Sequence, residues 1–122
     1  MSMSFAFFGQ TATEASDVAL DRLTGLLHIT RSELALASGL PIDAVSKPVW
    51  AQSPATQSRL RDIVEILKQV CPWAESPQLA FAWYRSQPLP GFGDQTAEIL
   101  VKDGRAEAVK RYLHEIAVGG YA

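Results

Sequence analysis

Proline and glycine cut this chain into short segments, and within each segment the apolar residues recur at helical spacing. The clearest case follows Ser53-Pro54. There Leu60, Ile63, Val64, Leu67, Val70 and Cys71 take the i, i+3, i+4, i+7 pattern, with Arg59, Arg61, Asp62, Glu65 and Lys68 mostly opposite. The spacing predicts an amphipathic helix that Pro72 stops, because proline has no N–H to continue the ladder.

The other segments read the same way. A first helix is expected from Ser16 or Asp17 to His28, with Ala19, Leu23, Leu26 and Leu27 on one face. Thr30-Arg-Ser-Glu33 is a capping box that opens a short helix through Leu34, Leu36 and Ala37, ended by Gly39. Pro41 can take the first position of a very short helix through Ile42 and Val45. Pro48 forbids its continuation by pushing residue 47 out of the helical region. Ser76-Pro77 opens a helix through Leu79, Ala80, Trp83 and Tyr84, with Trp83 as the expected buried anchor. Gln87 to Gly93 is a restricted Pro-Gly loop. A short helix over Ala97 to Val101 follows, capped by Thr96 or Asp94. Beyond Gly104 a last helix shows Val109, Tyr112, Leu113, Ile116 and Ala117 on one face, and Gly119-Gly120 ends it. No alternating strand pattern appears, so the expected class is all-α. The expected organisation is an N-terminal arm (residues 1–15), a helical module (16–71) and a C-terminal module (72–122) packed on it.

Composition narrows the function. At 122 residues there is room for one compact domain or two small modules sharing a core. Hydrophobic residues make up 48% and charged residues 20%, which excludes a disordered tail. The net charge of −2 lacks the basic excess of a protein that grips many phosphates. The single cysteine, Cys71, excludes an internal disulfide framework, and no metal centre is expected from His28 and His114, far apart in sequence. Met1 to Gly9 is apolar but has no basic lead-in and is too short for a signal peptide. No membrane span is expected, and the location expected is cytoplasmic. Phe5, Phe7 and Phe8 are either an arm that packs on the body or on a second copy, or an ordinary frayed terminus.

As an enzyme the sequence is nearly empty. It has no Gly-rich phosphate loop, no His-Glu zinc helix, and no Ser or Cys nucleophile beside a base. His28 reads as a partly buried or capping residue, His114 as a helix-surface residue and Cys71 as a small buried hydrophobe. Glu98 and Asp94 could form a carboxylate pair, but acids at a helix start are explained by capping and the helix dipole. No catalytic residue and no cofactor is expected.

Thr30 to Ser46 carries a second reading. Ala35, Gly39 and Val45 are the skeleton of a helix-turn-helix: a small residue where helices meet, a glycine in the turn, an aliphatic under the second helix. Its second helix offers Lys47 and the acid Asp43, with no Arg, Asn or Gln to read base edges. Arg31 and Lys47 are therefore the candidates for weak DNA contact. The alternative is a scaffold used for packing or dimerisation.

The C-terminal half is the most informative. Trp83, the Pro90-Gly91-Phe92 turn, Thr96-Ala97, Leu100-Val101, Gly104-Arg105, Val109, Leu113, Ile116 and the Gly119-Gly120-Tyr121-Ala122 ending form an ordered set. In these residues the chain resembles the MbcA/ParS/Xre antitoxins, well over the last fifty or so residues and loosely over the Xre-like N-terminal part. The resemblance implies a type II antitoxin whose partner is a cognate RES-domain toxin that uses or destroys NAD. It implies that residues 116 and 119–122 (Ile116, Gly119, Gly120, Tyr121, Ala122), with Arg105 and Phe92, bind the toxin, and that the C-terminus enters the NAD pocket. It also implies an antitoxin dimer carrying two toxins. The residues agree on their own terms: two glycines release the backbone, and an aromatic side chain and an anionic terminus follow. The rival reading is a helix-turn-helix transcriptional regulator, which would gather Arg31, Lys47, Arg59 and Arg61 on one surface.

Overall fold

The structure, a computed structural model, describes residues 18–119. The expected arm with Phe5, Phe7 and Phe8, the proposed helix start at Ser16 or Asp17, and Gly120 to Ala122 lie outside the described residues.

Among the described residues the chain is an all-α bundle with no named strand, and an isolated antiparallel bridge joins Pro88 and Thr96. Its helices are α1 (Leu20–Leu27), α2 (Arg31–Ser38), α3 (Ile42–Ser46), α4 (Pro48–Ala51), α5 (Pro54–Ala74), α6 (Pro77–Ser86), α7 (Ala97–Lys102) and α8 (Ala106–Gly119). Four of them start on a hydroxyl cap. Thr30, Ser53, Ser76 and Thr96 accept from the backbone N–H three residues on, satisfying a donor the helix itself cannot. At Thr30 the box is closed from both sides, since its N–H donates to Glu33 Oε1 at 2.8 Å. Thr96, not Asp94, caps α7.

The centre is α5. Leu60, Ile63, Ile66 and Leu67 are fully buried, and α6 and α8 pack along this helix. One hydrophobic cluster runs from Val18 to Leu113 and includes residues on both sides of the Pro72–Pro77 boundary. The end of α2 is fastened to the rest of the bundle through carbonyls that a helix C-terminus leaves unpaired. Tyr84 Oη donates to Ala37 O at 2.8 Å, and Arg59 Nη1 donates to Ser38 O at 2.7 Å. At the other side Gln57, almost wholly buried, donates to Ala51 O and brackets the main chain of Val18.

Three local expectations are corrected. Helix α1 begins at Leu20 after an extended Ala19. Pro72 does not stop α5: the helix runs through it to Ala74 and closes at Glu75 in the left-handed region (φ 76°). Pro72 falls within the final turn, where one missing N–H is a small loss, and Val70 and Cys71 just before it are held in the core. Pro48 ends α3 as expected, but it also occupies the first position of α4, a turn the apolar pattern was too short to reveal.

Candidate functional site

The C-terminal site is built around the loop from Gln87 to Thr96. Leu89 is buried and plugs the loop into the core, while its N–H donates to Gln95 O at 3.0 Å. Gly91 at φ 85° and Gly93 at φ 66° turn the chain where a side chain would be strained. Phe92 is thereby brought to the surface edge-on to Tyr112 of α8, with ring centroids 5.8 Å apart. The guanidinium of Arg105 sits 5.6 Å from the Phe92 ring centre. Ile116, half-buried, follows Tyr112 by one turn on the same face of α8, and Gly119 follows again as the last residue of the helix. Of the toxin-binding candidates, Phe92 and Arg105 are in contact and Tyr112 links them to the face bearing Ile116. Gly120, Tyr121 and Ala122 lie outside the described residues.

On α6, Trp83 is only half-buried; its neighbour Tyr84 is the residue sealed in the core. The two are adjacent on α6, and the i, i+4 partner Ala80 puts Tyr84 rather than Trp83 at the centre of the buried face. Burial raises the Tyr84 hydroxyl far above the ordinary tyrosine range, with the charge of Glu98 adding to the shift. Glu98 is itself buried. Its carboxylate pairs with Arg85 Nε at 2.8 Å and Lys102 Nζ at 2.7 Å, while Asp94 is exposed in the turn at φ 61°. Glu98 is thus engaged in a three-residue ion pair rather than aimed at Asp94. On α8, burial would lower Lys110. Hydrogen bonds to Asp62, Glu65 and Glu107 outweigh it and push the ammonium above its usual range. His28 is exposed and closes α1 in the left-handed region, His114 is exposed on α8, and Cys71 is buried. No cluster of three metal-ligating side chains occurs among the described residues, and no helix there is long and apolar enough to cross a membrane.

At the other end, α2, the Gly39 turn (φ 70°) and α3 form an arrangement consistent with a helix-turn-helix-like module, with Ala35 and Val45 buried between them. Arg31 donates to Val45 O at 2.7 Å and pairs with Asp21. Lys47 pairs with Asp43 and lies over the Trp50 ring. Arg31 faces a groove with Asp21, Pro48 and Gln52, whereas Arg59 faces another with Ser58, Asp62 and Gly104. Four large apolar side chains nearby are exposed: Leu36, Ile42, Val49 and Trp50.

Sequence reasoning had no signal for Gln57 or for Tyr84 over Trp83, since each depends on which neighbour a helix meets. Compared with family models, curated proteins and solved structures, the chain finds no match.

Proposed function

We propose that this chain is the antitoxin of a type II toxin–antitoxin pair, a binding protein without catalytic activity of its own. Its partner is a cognate RES-domain toxin that uses NAD, and its C-terminus enters the toxin's active site and blocks NAD. The finer fold assignment, an Xre-like module carrying a toxin-binding domain, belongs to the same proposal. The observation that carries it is the path of α8. Val109 and Leu113 anchor that helix in the core, while Ala117, Val118 and Gly119 at its end are exposed. Phe92, Arg105 and Tyr112 stand together beside the first half of the same helix, ready-made as the body of an interface.

Growth of cells expressing a RES-domain toxin encoded beside this chain tests the reading. The intact chain should rescue them. A form truncated after Val118 and a form tagged at the C-terminus should both fail at matched protein levels. Full rescue by the truncated form would sink occlusion.

The helix-turn-helix-like geometry supports a second reading, a DNA-binding regulator. Against it stand the pairing of Arg31 and Lys47 within the chain and the apolar neighbours Ile42, Val49 and Trp50. Each phosphate contact adds about 0.9 to the slope of log affinity against log salt. With few such contacts on offer, only weak DNA binding is expected. Nanomolar operator binding at physiological salt would favour the regulator.

A further inference from the structure

The outer side of α3 and α4 puts large apolar side chains in contact with solvent. Val49 is 80% exposed, Trp50 51% and Ile42 46%. Ala44, Val45 and Ala51 of the same two helices are buried, so their inner faces already serve the core. Single apolar residues scattered on a surface mean little, but a joined patch that includes a tryptophan marks an interface. Lys47 joins this one. Its ammonium lies 5.8 Å from the centre of the Trp50 ring and 3.7 Å from Asp43 Oδ2, which ties the outer side of α3 to α4.

The charges on the patch select what covers it. Asp43 and Lys47 stand one turn apart on α3 and cancel. Their contact is loose, at 3.7 Å with both side chains about half exposed, against 2.7–2.8 Å for the pairs of Glu98 with Lys102 and Arg85. An apolar patch with one acid and one base does not favour nucleic acid or a strongly charged protein. Its complement is another apolar centre with the acid and base in reverse order. A two-fold axis supplies that from the chain itself, because turning α3 end for end sets Lys47 opposite the Asp43 of the copy. We propose that the outer face of α3 and α4 is a two-fold interface between copies of this chain. Ile42, Val49 and Trp50 form its centre, and Lys47 of each copy pairs with Asp43 of the other. These five residues are few beside the roughly 20–30 a side of a standard interface, so the dimer is a weak one that forms with rising concentration. It needs no partner but this chain, and failure of the antitoxin reading leaves it untouched.

Sedimentation of the full chain over a concentration series reads the dimer, with thermal melting as the check on fold. The natural chain should pass from monomer to dimer. Val49→Glu and Trp50→Ala, both at exposed positions, should each weaken the dimer at least about tenfold with little change in the melting of the monomer. Charge exchange tests the pairing itself. Asp43→Lys sets like charges opposite each other across the axis, and so does Lys47→Asp, so each variant alone should stay monomeric where the natural chain dimerises. Mixed in equal amounts, the two variants should form a heterodimer, since both contacts then join opposite charges. A monomer at every concentration overturns the proposal. So does a dimer that survives Val49→Glu and Trp50→Ala, or a mixture of the charge variants that stays monomeric. Two other occupants would overturn it as well. One is nucleic acid, shown by a shift of the Trp50 indole resonance on adding duplex DNA with none on raising the protein concentration. The other is the chain's own N-terminal segment, shown by a shift of that resonance in the dilute monomer when residues 1–15 are deleted.

Discussion

Single atoms decide much of this molecule's stability, and the Tyr84 hydroxyl is the plainest example. It closes a buried hydrogen bond to Ala37 O, a carbonyl that α2 cannot satisfy itself. Tyr84→Phe leaves that carbonyl unpaired and should cost about 1–3 kcal/mol, read as a lower melting temperature. The same substitution should change the alkaline limb of stability. The folded state holds Tyr84 neutral well above the unfolded value near 10, so its contribution is intact below that pH. Above it the unfolded chain ionises first, and stability falls with rising pH. Urea titrations from neutral to alkaline pH should therefore show a steeper loss above pH 10 in the natural chain than in Tyr84→Phe. Trp83→Ala, at a half-buried position, should destabilise less than Tyr84→Ala. The reverse order would restore Trp83 as the anchor. Gly39 belongs to this scale as well. It sits at φ 70°, and a Cβ there would come 2.9 Å from Lys102 Cγ. Gly39→Ala thus combines backbone strain with a clash and should cost more than about 1 kcal/mol in chemical denaturation.

At the scale of the element, caps and periodicity were readable because they are local: a hydroxyl at Thr30 or Ser76 needs only the amide three residues on. The apolar stripe of α5 was equally plain, since six of its positions face one core. What was not readable depends on distant partners. A four-residue turn such as α4 has no period of its own, and it is held in place by the carbonyl of Ala51 meeting Gln57. Pro72 misled for a related reason: a breaker ends a helix only if nothing else favours the last turn, and here the core does. The candidate site divides the same way. Phe92 and Arg105 were placed by resemblance, but their stacking, and Tyr112 beside them, required the loop geometry. The Pro72 account can be checked. Alanine restores an N–H opposite Lys68, and proline is about 3 kcal/mol worse than alanine in a helix interior. Within the last turn a smaller gain, on the order of 1 kcal/mol, is expected for Pro72→Ala in urea denaturation. A loss of stability would mean that the ring itself packs against something α5 needs.

For the whole molecule the question is whether the two modules suggested by the prolines are independent. Their contacts argue otherwise. The carbonyls at the end of α2 are satisfied by Tyr84 of α6 and Arg59 of α5, and Gln78 of α6 donates to Leu26 O beyond the middle of α1. Lys110 of α8 draws Asp62 and Glu65 of α5 to itself, and Leu100, Val109 and Leu113 join the same hydrophobic cluster as Leu60 and Ile63. Remove residues before Pro72, and α6 and α8 lose the helix they pack along, while α7 loses its contacts with α2. Each leucine side chain exposed by that loss forfeits roughly 1.5–3 kcal/mol, against a total stability of only about 5–15 kcal/mol for a domain of ordinary size. The chain should therefore unfold in one step, with far-ultraviolet circular dichroism and tryptophan fluorescence giving coincident denaturation curves. A fragment of residues 72–122 should show no cooperative transition alone. Two separated transitions, or a folded fragment, would make the C-terminal module autonomous. If the proposed toxin binds at α8, single-step unfolding would mean that it stabilises the helix-turn-helix-like end by mass action on one shared equilibrium, without any change of shape. Saturating toxin should accordingly slow hydrogen exchange in α2 and α3 wherever exchange proceeds through global unfolding. Protection confined to α8 would show that the two ends open separately.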